Sequence, residues 1–359
     1  MRRTPLYDAH LAARATMVEF AGWEMPVQYA GAVEETRHCR TAAGLFDLCH
    51  MGRLEVTGPE AVKAVDAIVS CNVARLRTGV CKYGILTNER GGAIDDVLVY
   101  RDADRVHVII NAGNRDRDFR HFLEHGGGFD CEVANLSDEQ TMLAVQGPHA
   151  PSLVASLADG DVLSLGYYRF GRAKVLGIPC LVSRTGYTGE DGFELFFPKA
   201  DARRMWDGLL EKGEGTGLKP IGLAARDILR TEAGMPLYGH ELDDDTNPLE
   251  AGLRFGVDLT KEFWGSKALK AGHEKGLPRR LVGLLLRQRV ARPGYSVVVD
   301  GRAVGKVTSG TPSPTLGTNI AMAFVEAAFD PPGGKCEVDI RGRPSPAEVT
   351  PLPFYRRTR

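Results

Sequence analysis

The chain has 359 residues, of which 43% are hydrophobic and 25% are charged, and its formal net charge is −1. This length predicts two or three domains of about 100–200 residues, and the composition is that of an ordinary globular protein. A net charge so close to zero argues against a nucleic-acid or membrane-binding surface, and no apolar run approaches the roughly 18 residues that a membrane span requires.

Seven cysteines are scattered through the sequence, and no C-x-x-C pair occurs. An odd number with irregular spacing favours buried free thiols in a reducing compartment over disulfides or a zinc site. The chain begins with Met1-Arg2-Arg3 and continues into polar sequence, without the apolar stretch of a signal peptide. These features predict a soluble, cytoplasmic protein.

Helices and strands alternate near the N-terminus. Residues 30–43 are predicted to be helical, with Gly44 ending the helix. Residues 52–58 are predicted to form a strand, and a helix follows through residue 70 with a proline in its first turn. His50 precedes this strand, and a hydrogen-bonded structural role is favoured for it over a role as a ligand.

The stretch GGAIDDVLVYR, residues 91–101, is predicted to be a strand with an unusual acidic residue at its centre. Alternation puts Ile94, Leu98 and Tyr100 on the same face as Asp96, and Asp95 on the opposite face. A carboxylate with apolar neighbours is costly unless a donor satisfies it. Two interpretations stay open: an anionic acceptor in a small apolar slot, or an edge-strand aspartate that caps a turn or pairs with an arginine.

The neighbouring strands are predicted at residues 81–87, which include Tyr83, and at residues 106–111, which end at Asn111. The second of these is expected to form a β-hairpin with the Asp96 strand. Residues 116–125 are predicted to be helical, with His121 and His125 at an i, i+4 spacing. No third ligand lies nearby, so a solvated face is favoured over a metal site.

Residues 133–145 and 173–184 are predicted to be strands. The segment 184–195 contains three glycines but no phosphate-binding pattern, so it is interpreted as a glycine-rich hairpin that presents Tyr187 and Glu194. Helices are predicted at 202–212 and 221–233, the second with Arg226 on its polar side. From about residue 277 short strands alternate with Gly and Pro, which predicts a small all-β barrel or sandwich.

The ordered motifs of the chain resemble those of the aminomethyltransferases of the glycine cleavage system, the T-proteins, and the resemblance covers essentially the whole sequence. The motifs are TPLYDAH (4–10), FAGWEMPVQY (20–29), FDLCHMG (46–52), GGAIDDVLVY (91–100), NAGN (111–114), SRTGYTGEDGFEL (183–195), GLAARDILRTEAGMPLYG (222–239), NPLEAGL (247–253), VTSGTPSPTLG (307–317) and PFYR (353–356).

The resemblance implies an α+β fold, a three-domain cloverleaf around a central cavity in which tetrahydrofolate binds. The expected first domain is discontinuous and comprises residues 1–52 and 136–245. The second, residues 53–135, is inserted and carries Asp96. The third, residues 246–359, is the C-terminal β-barrel.

The resemblance also implies the reaction. The lipoylated H-protein presents an aminomethyl group on its arm, and the enzyme passes the carbon to tetrahydrofolate. Ammonia is released, the arm is left as a dithiol, and 5,10-methylenetetrahydrofolate is the product. Tetrahydrofolate is thus the acceptor substrate, and no metal, flavin or nicotinamide is required. Neither nucleic acid nor membrane is an expected partner.

Site residues follow from the resemblance where a local motif matches. Asp96, the second aspartate of the IDD motif, is expected to be the critical acid. Glu194 is expected to bind the amide and amino edge of the pterin, and Arg226 to help hold the folate. Further positions that match the folate slot are Asn111, Tyr83, Tyr100, Tyr187, Leu98, Met51 and, in the shorter C-terminal ending of this chain, Tyr355.

Two alternatives to this function are retained. Relatives on the same fold demethylate small methylated donors with folate as the acceptor, and the Asp96 region alone does not exclude them. The other alternative is a non-catalytic folate-binding protein of the kind that carries a cysteine in a K-G-C-Y-type motif. The comparable segment here, residues 184–187, contains no cysteine.

Overall fold

A computed structural model of the chain describes residues 1–329 and 334–358. The helices in this part of the chain are α1 (Tyr7–Ala12), α2 (Ala32–Thr41), α3 (Ala61–Ile68), α4 (Arg115–Gly126), α5 (Ala150–Leu157), α6 (Ala202–Gly213), α7 (Leu223–Glu232) and α8 (Ser266–Lys275). The strands are β1 (Arg2–Arg3), β2 (Thr16–Phe20), β3 (Trp23–Gln28), β4 (Ala43–Asp47), β5 (Gly52–Thr57), β6 (Val80–Thr87), β7 (Ala93–Arg101), β8 (Arg105–Ile110), β9 (Glu132–Asn135), β10 (Gln140–Gln146), β11 (Phe170–Val175), β12 (Ile178–Ser183), β13 (Gly192–Pro198), β14 (Leu218–Pro220), β15 (Arg279–Leu286), β16 (Ser296–Val299), β17 (Arg302–Ser313), β18 (Thr318–Glu326), β19 (Lys335–Asp339) and β20 (Pro344–Thr350).

The chain divides into two compact units. The first comprises residues 1–68, 73–83 and 97–227, and the second comprises residues 69–72, 84–96 and the chain from residue 228 onward. Strands β6 and β7 and helix α7 each begin in one unit and end in the other. The division into three domains that the family resemblance implies stays a prediction.

A six-stranded sheet with the order β11–β12–β13–β10–β4–β14 forms one layer of the first unit. Leu143 of β10 and both Phe193 and Leu195 of β13 belong to its buried apolar core, together with Trp206 of α6. Successive side chains of a strand point to opposite faces, so Glu194 projects from the face of β13 that lies away from this core.

A five-stranded sheet has the order β6–β7–β8–β5–β9. Helix α3 packs against β5 and β8, and β8 pairs with both β5 and β7 in antiparallel fashion. Residues directly opposite each other in a ladder carry their side chains on the same face. The register therefore places six side chains on one face of this sheet: Arg53, Glu55, Leu98, Tyr100, His107 and Ile109.

The second unit contains a closed six-stranded barrel with the order β15–β18–β17–β16–β19–β20. Alternate residues of β15, Val282, Leu284 and Leu286, are buried in its apolar core. The predicted all-β C-terminal region is thus confirmed, and it is a barrel rather than a sandwich.

Several predicted elements differ from the structure. The hairpin of β7 and β8 is confirmed, but the single strand predicted over residues 173–184 is wrong, because β11 and β12 form a hairpin there. Its turn uses Leu176 and Gly177 at φ values of 53° and 74°. A leucine in the left-handed region gives no turn signal in the sequence. The strand predicted over residues 133–145 is two strands, β9 and β10, and α8 was not predicted.

Within the described ranges, no helix is both long and apolar enough to span a membrane, and no group of three His, Cys, Asp or Glu side chains has the geometry to hold a metal ion. The seven cysteines are free thiols and six of them are buried, as predicted. Burial raises the pKa of Cys81 to about 12 and the pKa values of Cys180 and Cys336 to about 11.

A buried ion pair in the second unit provides a test of this fold. Arg230 Nη1 lies 2.9 Å from Glu241 Oε2, with side chains 1% and 0% exposed, and Ser309 donates to Glu241 Oε1 at 2.6 Å. Glu241→Ala removes a carboxylate partner of a buried guanidinium, so we expect the free energy of unfolding to fall by about 3–5 kcal/mol in chemical denaturation.

The matched control for this variant is Glu326→Ala. Glu326 pairs with Arg302 at the surface, where the two side chains are 47% and 65% exposed. Its loss should cost no more than about 1 kcal/mol. Equal losses of stability in the two variants would show that the buried ion pair contributes no more to stability than the exposed pair.

Candidate active site

Glu194 lies in the middle of the six-stranded sheet. Strand β13 has β12 on one side and β10 on the other, and the ladders put Ser183 and Ala144 directly opposite Glu194. The residue is only 6% exposed. A carboxylate in such a position requires hydrogen-bond donors or a counter-charge.

A row of hydroxyl groups meets this carboxylate. Thr185 Oγ1 donates to Glu194 Oε2 at 2.5 Å, and Thr185 Oγ1 also lies 2.9 Å from Ser183 Oγ. The Tyr100 hydroxyl is 3.5 Å from Thr185 Oγ1. All four side chains are buried. The structure thus brings together Glu194 and Tyr100, two of the residues that the family resemblance predicted for the site.

The protonation of Glu194 is set by opposing effects. Burial raises the pKa of its carboxyl group, while the hydrogen bond from Thr185, the positive charge of Arg226 and the Tyr100 hydroxyl act to lower it. Because burial is the largest effect, further N–H donors would stabilise the ionised form of this group. Glu194 is therefore suited to a ligand that presents hydrogen-bond donors.

The glycine-rich loop before β13 is held by Gln146 at the end of β10. Gln146 Nε2 donates to the carbonyl of Thr185 at 3.0 Å, and Thr188 Oγ1 donates to Gln146 Oε1 at 3.0 Å. A Cβ atom on Gly186 would lie 1.8 Å from Gln146 Oε1, so a larger residue there would displace the Gln146 side chain that holds the loop. The loop then presents Tyr187, whose ring centroid is 5.1 Å from the guanidinium carbon of Arg226.

His50 is a second titratable group that is influenced by the positive charge of Arg226. It is 1% exposed, its ring lies 5.8 Å from that of Phe20, and Nδ1 has no hydrogen-bond partner in the described chain. Burial lowers the pKa of His50 to about 3, and the positive charge of Arg226 contributes to this decrease. The imidazole is therefore neutral at physiological pH.

The turn that carries His50 is fixed by Asp47. Asp47 Oδ1 accepts from the Cys49 backbone N–H at 2.8 Å, and Oδ2 contacts His10 Nε2 at 2.9 Å and Thr4 Oγ1 at 2.7 Å. Burial by itself would raise the pKa of Asp47, but the hydrogen bond and charge of His10 hold it at about 2. The anionic Asp47 thereby anchors residues 48–51.

Other residues predicted for the site are distributed over both units. Met51, Tyr83, Leu98 and Asn111 are half-buried members of the first unit. Asp96 is half-buried on β7, between the buried Asp95 and Val97, and is grouped with the second unit.

Tyr355 also belongs to the second unit. It is half-buried, and its backbone N–H donates to the carbonyl of Glu232 at 2.8 Å. The roles of Asp96 and Tyr355 stay predictions.

The chain matches two family models in sequence order. Residues 6–261 match the GCVT N-terminal domain, and residues 279–356 match the glycine cleavage T-protein C-terminal barrel domain. The chain belongs to the glycine cleavage T-protein family.

Similar proteins agree with this family over their full lengths. An aminomethyltransferase of Moorella thermoacetica is 49% identical over 99% of this chain and 98% of its own length. An aminomethyltransferase of Rubrobacter xylanophilus is 49% identical over 100% of this chain and 95% of its own. The crystal structure of the glycine cleavage system aminomethyltransferase T from Bartonella henselae has a TM-score of 0.92 at 35% identity, covering 99% and 98% of the two chains.

Membership of the T-protein family confirms the predicted α+β fold with a C-terminal barrel and the predicted class of enzyme, an aminomethyltransferase. The buried acceptor at Glu194 and the cation at Arg226 lie within the part of the chain that matches the N-terminal T-protein domain.

Sequence reasoning missed the residues that support Glu194, namely Ser183, Thr185 and Gln146. A signal for two of them was present, because a hairpin centred on the glycine-rich loop places position 183 opposite position 194. No local pattern in the sequence indicates the contribution of Gln146, since it arises from the pairing of β10 with β13.

The depressed pKa of His50 predicts a pH-dependent stability. An unfolded histidine has a pKa of about 6.5, so below that pH the unfolded chain binds a proton that the folded chain does not. Stability should therefore fall as the pH decreases from about 6.5 towards 3, and His50 should contribute about 2 kcal/mol of the loss between pH 7 and pH 5.

Urea denaturation of the wild type and of His50→Gln at the two pH values measures this contribution. His50→Gln should lose about 2 kcal/mol less than the wild type. The exposed His273→Gln serves as the control and should follow the wild type. An unchanged pH dependence in His50→Gln would rule out a buried neutral imidazole.

Proposed function

We propose that this chain transfers the one-carbon unit from the aminomethyl-dihydrolipoyl arm of H-protein to tetrahydrofolate. The products are 5,10-methylenetetrahydrofolate, ammonia and the dihydrolipoyl H-protein. Membership of the T-protein family supports the reaction class, and the observation that carries the assignment of the acceptor is the buried Glu194 carboxylate with its hydroxyl partners.

Glu194 suits the edge of a pterin. That edge presents adjacent N–H donors, and a carboxylate accepts two of them at once. Charge-assisted hydrogen bonds of this kind contribute roughly 1.5–3 kcal/mol each. Because burial raises the pKa of Glu194 in the free protein, two new donors would also favour its ionised form.

Arg226 and the aromatic residues suit the rest of the folate. The glutamate tail of folate is anionic, which an arginine complements, and the stacking of Arg226 on Tyr187 limits the orientations of the guanidinium. The remaining positions proposed to contact the folate are Asn111, Tyr83, Tyr100, Leu98, Met51 and Tyr355.

Asp96 is proposed to act at the reacting carbon. Its carboxylate would orient the folate for attack by the 5-nitrogen and would stabilise the cationic one-carbon species that develops as ammonia leaves. Correct orientation of the reactants can lower the activation barrier by about 7–11 kcal/mol. A general acid or base accelerates a reaction by about 10²–10⁴-fold, which is a smaller effect. We therefore assign Asp96 a mainly electrostatic and orienting role. The chemistry needs no metal, flavin or nicotinamide.

The proposed function is tested by mixing the full chain with aminomethyl-loaded H-protein and tetrahydrofolate. We expect stoichiometric ammonia and methylenetetrahydrofolate, each dependent on both substrates. The same assay with dimethylglycine in place of loaded H-protein tests the demethylase alternative. Turnover with dimethylglycine but not with H-protein would replace the proposed substrate, and folate binding without turnover of either donor would indicate a non-catalytic protein.

Two substitutions should separate chemistry from folate binding. Asp96→Asn keeps the shape and removes the charge, so we expect at least about 100-fold slower turnover with folate affinity nearly unchanged. Glu194→Ala removes two acceptor sites, so folate should bind about 100-fold more weakly by calorimetry.

The surface variant Asp207→Asn, which changes an exposed ion pair, is the control and should match the wild type in both measurements. Normal turnover in Asp96→Asn would remove this residue from the chemistry. Unchanged folate affinity in Glu194→Ala would contradict the pterin assignment.

A further inference from the structure

A cavity of about 550 Å³ lies within the first unit. Part of its lining is the face of the five-stranded sheet that carries Arg53, Tyr100 and Ile109, and the lining also includes Leu181 of β12 and Phe196 of β13. A space of this size is in the range of small-molecule binding sites.

Arg53 is the unusual member of this lining. It is 2% exposed, and its Nη2 donates to the carbonyl oxygens of Ser137 at 2.8 Å and Cys49 at 3.4 Å. Its Nε and Nη1 atoms are buried and have no hydrogen-bond partner among residues 1–329 and 334–358. Burial also lowers the pKa of Arg53 to about 10. A buried guanidinium with two unused donors is costly unless an acceptor binds it.

Two of the other cations around the cavity already have carboxylate partners. Arg172 Nη2 lies 2.6 Å from Asp102 Oδ2, and Arg105 Nη1 lies 3.0 Å from Glu55 Oε2. The described hydrogen-bond partners of the Arg53 side chain, in contrast, are backbone carbonyls. The acceptor that the cavity lacks is therefore an anion at Arg53, and the fork geometry of guanidinium favours a carboxylate.

The walls near this cation are apolar. Ile109, Leu181 and Phe196 line the cavity, while Arg172 and Lys174 stand at its exposed rim. Charged and polar side chains, among them Glu55, Gln140 and Asp159, also line the cavity. The apolar part of the wall suits the body of an organic ligand rather than an inorganic ion. The side chains therefore fit a ligand with an apolar body and one negative charge.

Tyr100 separates this cavity from the Glu194 cluster. Its ring packs edge-on against Phe196 and Phe170, with centroid distances of 5.5 and 5.3 Å, while its hydroxyl points to Thr185. Of the residues proposed to contact folate or the reacting carbon, Tyr100 alone is among the residues that line this cavity.

We propose that this cavity is a second ligand site, which binds a small amphipathic carboxylate with its carboxylate group at Arg53 and its apolar body against Leu181 and Phe196. The site goes beyond the proposed transferase function and does not depend on it.

Hexanoate is a suitable probe because it carries one carboxylate on a short apolar chain, and hexanamide is its neutral counterpart. Ligand-observed NMR with the full chain should show saturable binding of hexanoate and at least tenfold weaker binding of hexanamide. The titration is repeated with excess tetrahydrofolate, which should leave the hexanoate affinity unchanged. Loss of hexanoate binding when tetrahydrofolate is added would place the probe in the folate site and overturn the proposal.

Two variants test the location. Arg53→Met removes the charge at similar length, and Leu181→Trp fills the cavity while leaving Arg53 in place; each should weaken hexanoate binding at least tenfold. Arg172→Met changes a rim cation that already has a carboxylate partner and should stay within about threefold of the wild type.

Leu181→Trp keeps the proposal testable if Arg53→Met does not fold. Wild-type affinity in a folded Leu181→Trp, equal binding of hexanamide and hexanoate, or no saturable binding of hexanoate would each overturn the proposal. Failure of tetrahydrofolate to bind the wild type would contradict the transferase proposal alone, because the hexanoate measurements do not require it.

Discussion

The site is organised around one constraint, which is that the carboxyl group of Glu194 is buried in the middle of the six-stranded sheet. Phe193 and Leu195 commit one face of β13 to the apolar core, and strand alternation then fixes Glu194 on the other face. Burial there disfavours the charged form, so the hydroxyl of Thr185 becomes a necessary donor. Gln146 stabilises the loop that carries Thr185 by donating a hydrogen bond to the Thr185 carbonyl. Core packing, loop conformation and the electrostatics of the site are thus one connected arrangement.

The sequence predicted those elements whose signals are local. The β7–β8 hairpin, the barrel strands and the presentation of Glu194 and Tyr187 by a glycine-rich hairpin follow from alternation and turn composition. The β11–β12 turn was missed because Leu176 adopts a conformation that leucine rarely takes. The full motif set, rather than any single pattern, indicated the family.

What could not be predicted depends on contacts between distant segments. The hydrogen bond from Gln146 to the glycine-rich loop spans 39 residues, and the contact of Arg53 with Ser137 spans 84. The network of Asp47 with His10 likewise joins two separate motifs of the sequence. Each of these contacts requires the strand pairing of the folded sheet, which residue spacing does not specify.

The burial of the thiols has a consequence for the chemistry proposed here. The proposed reaction leaves the lipoyl arm of H-protein as a dithiol. A dithiol exchanges readily with disulfides and with oxidised sulfur groups. Attack on sulfur requires a thiolate, and Cys49, Cys81 and Cys180 are all enclosed with raised pKa values. The enzyme therefore offers no competent nucleophile at these positions, and an oxidised lipoyl arm should form no mixed disulfide with any of these three thiols.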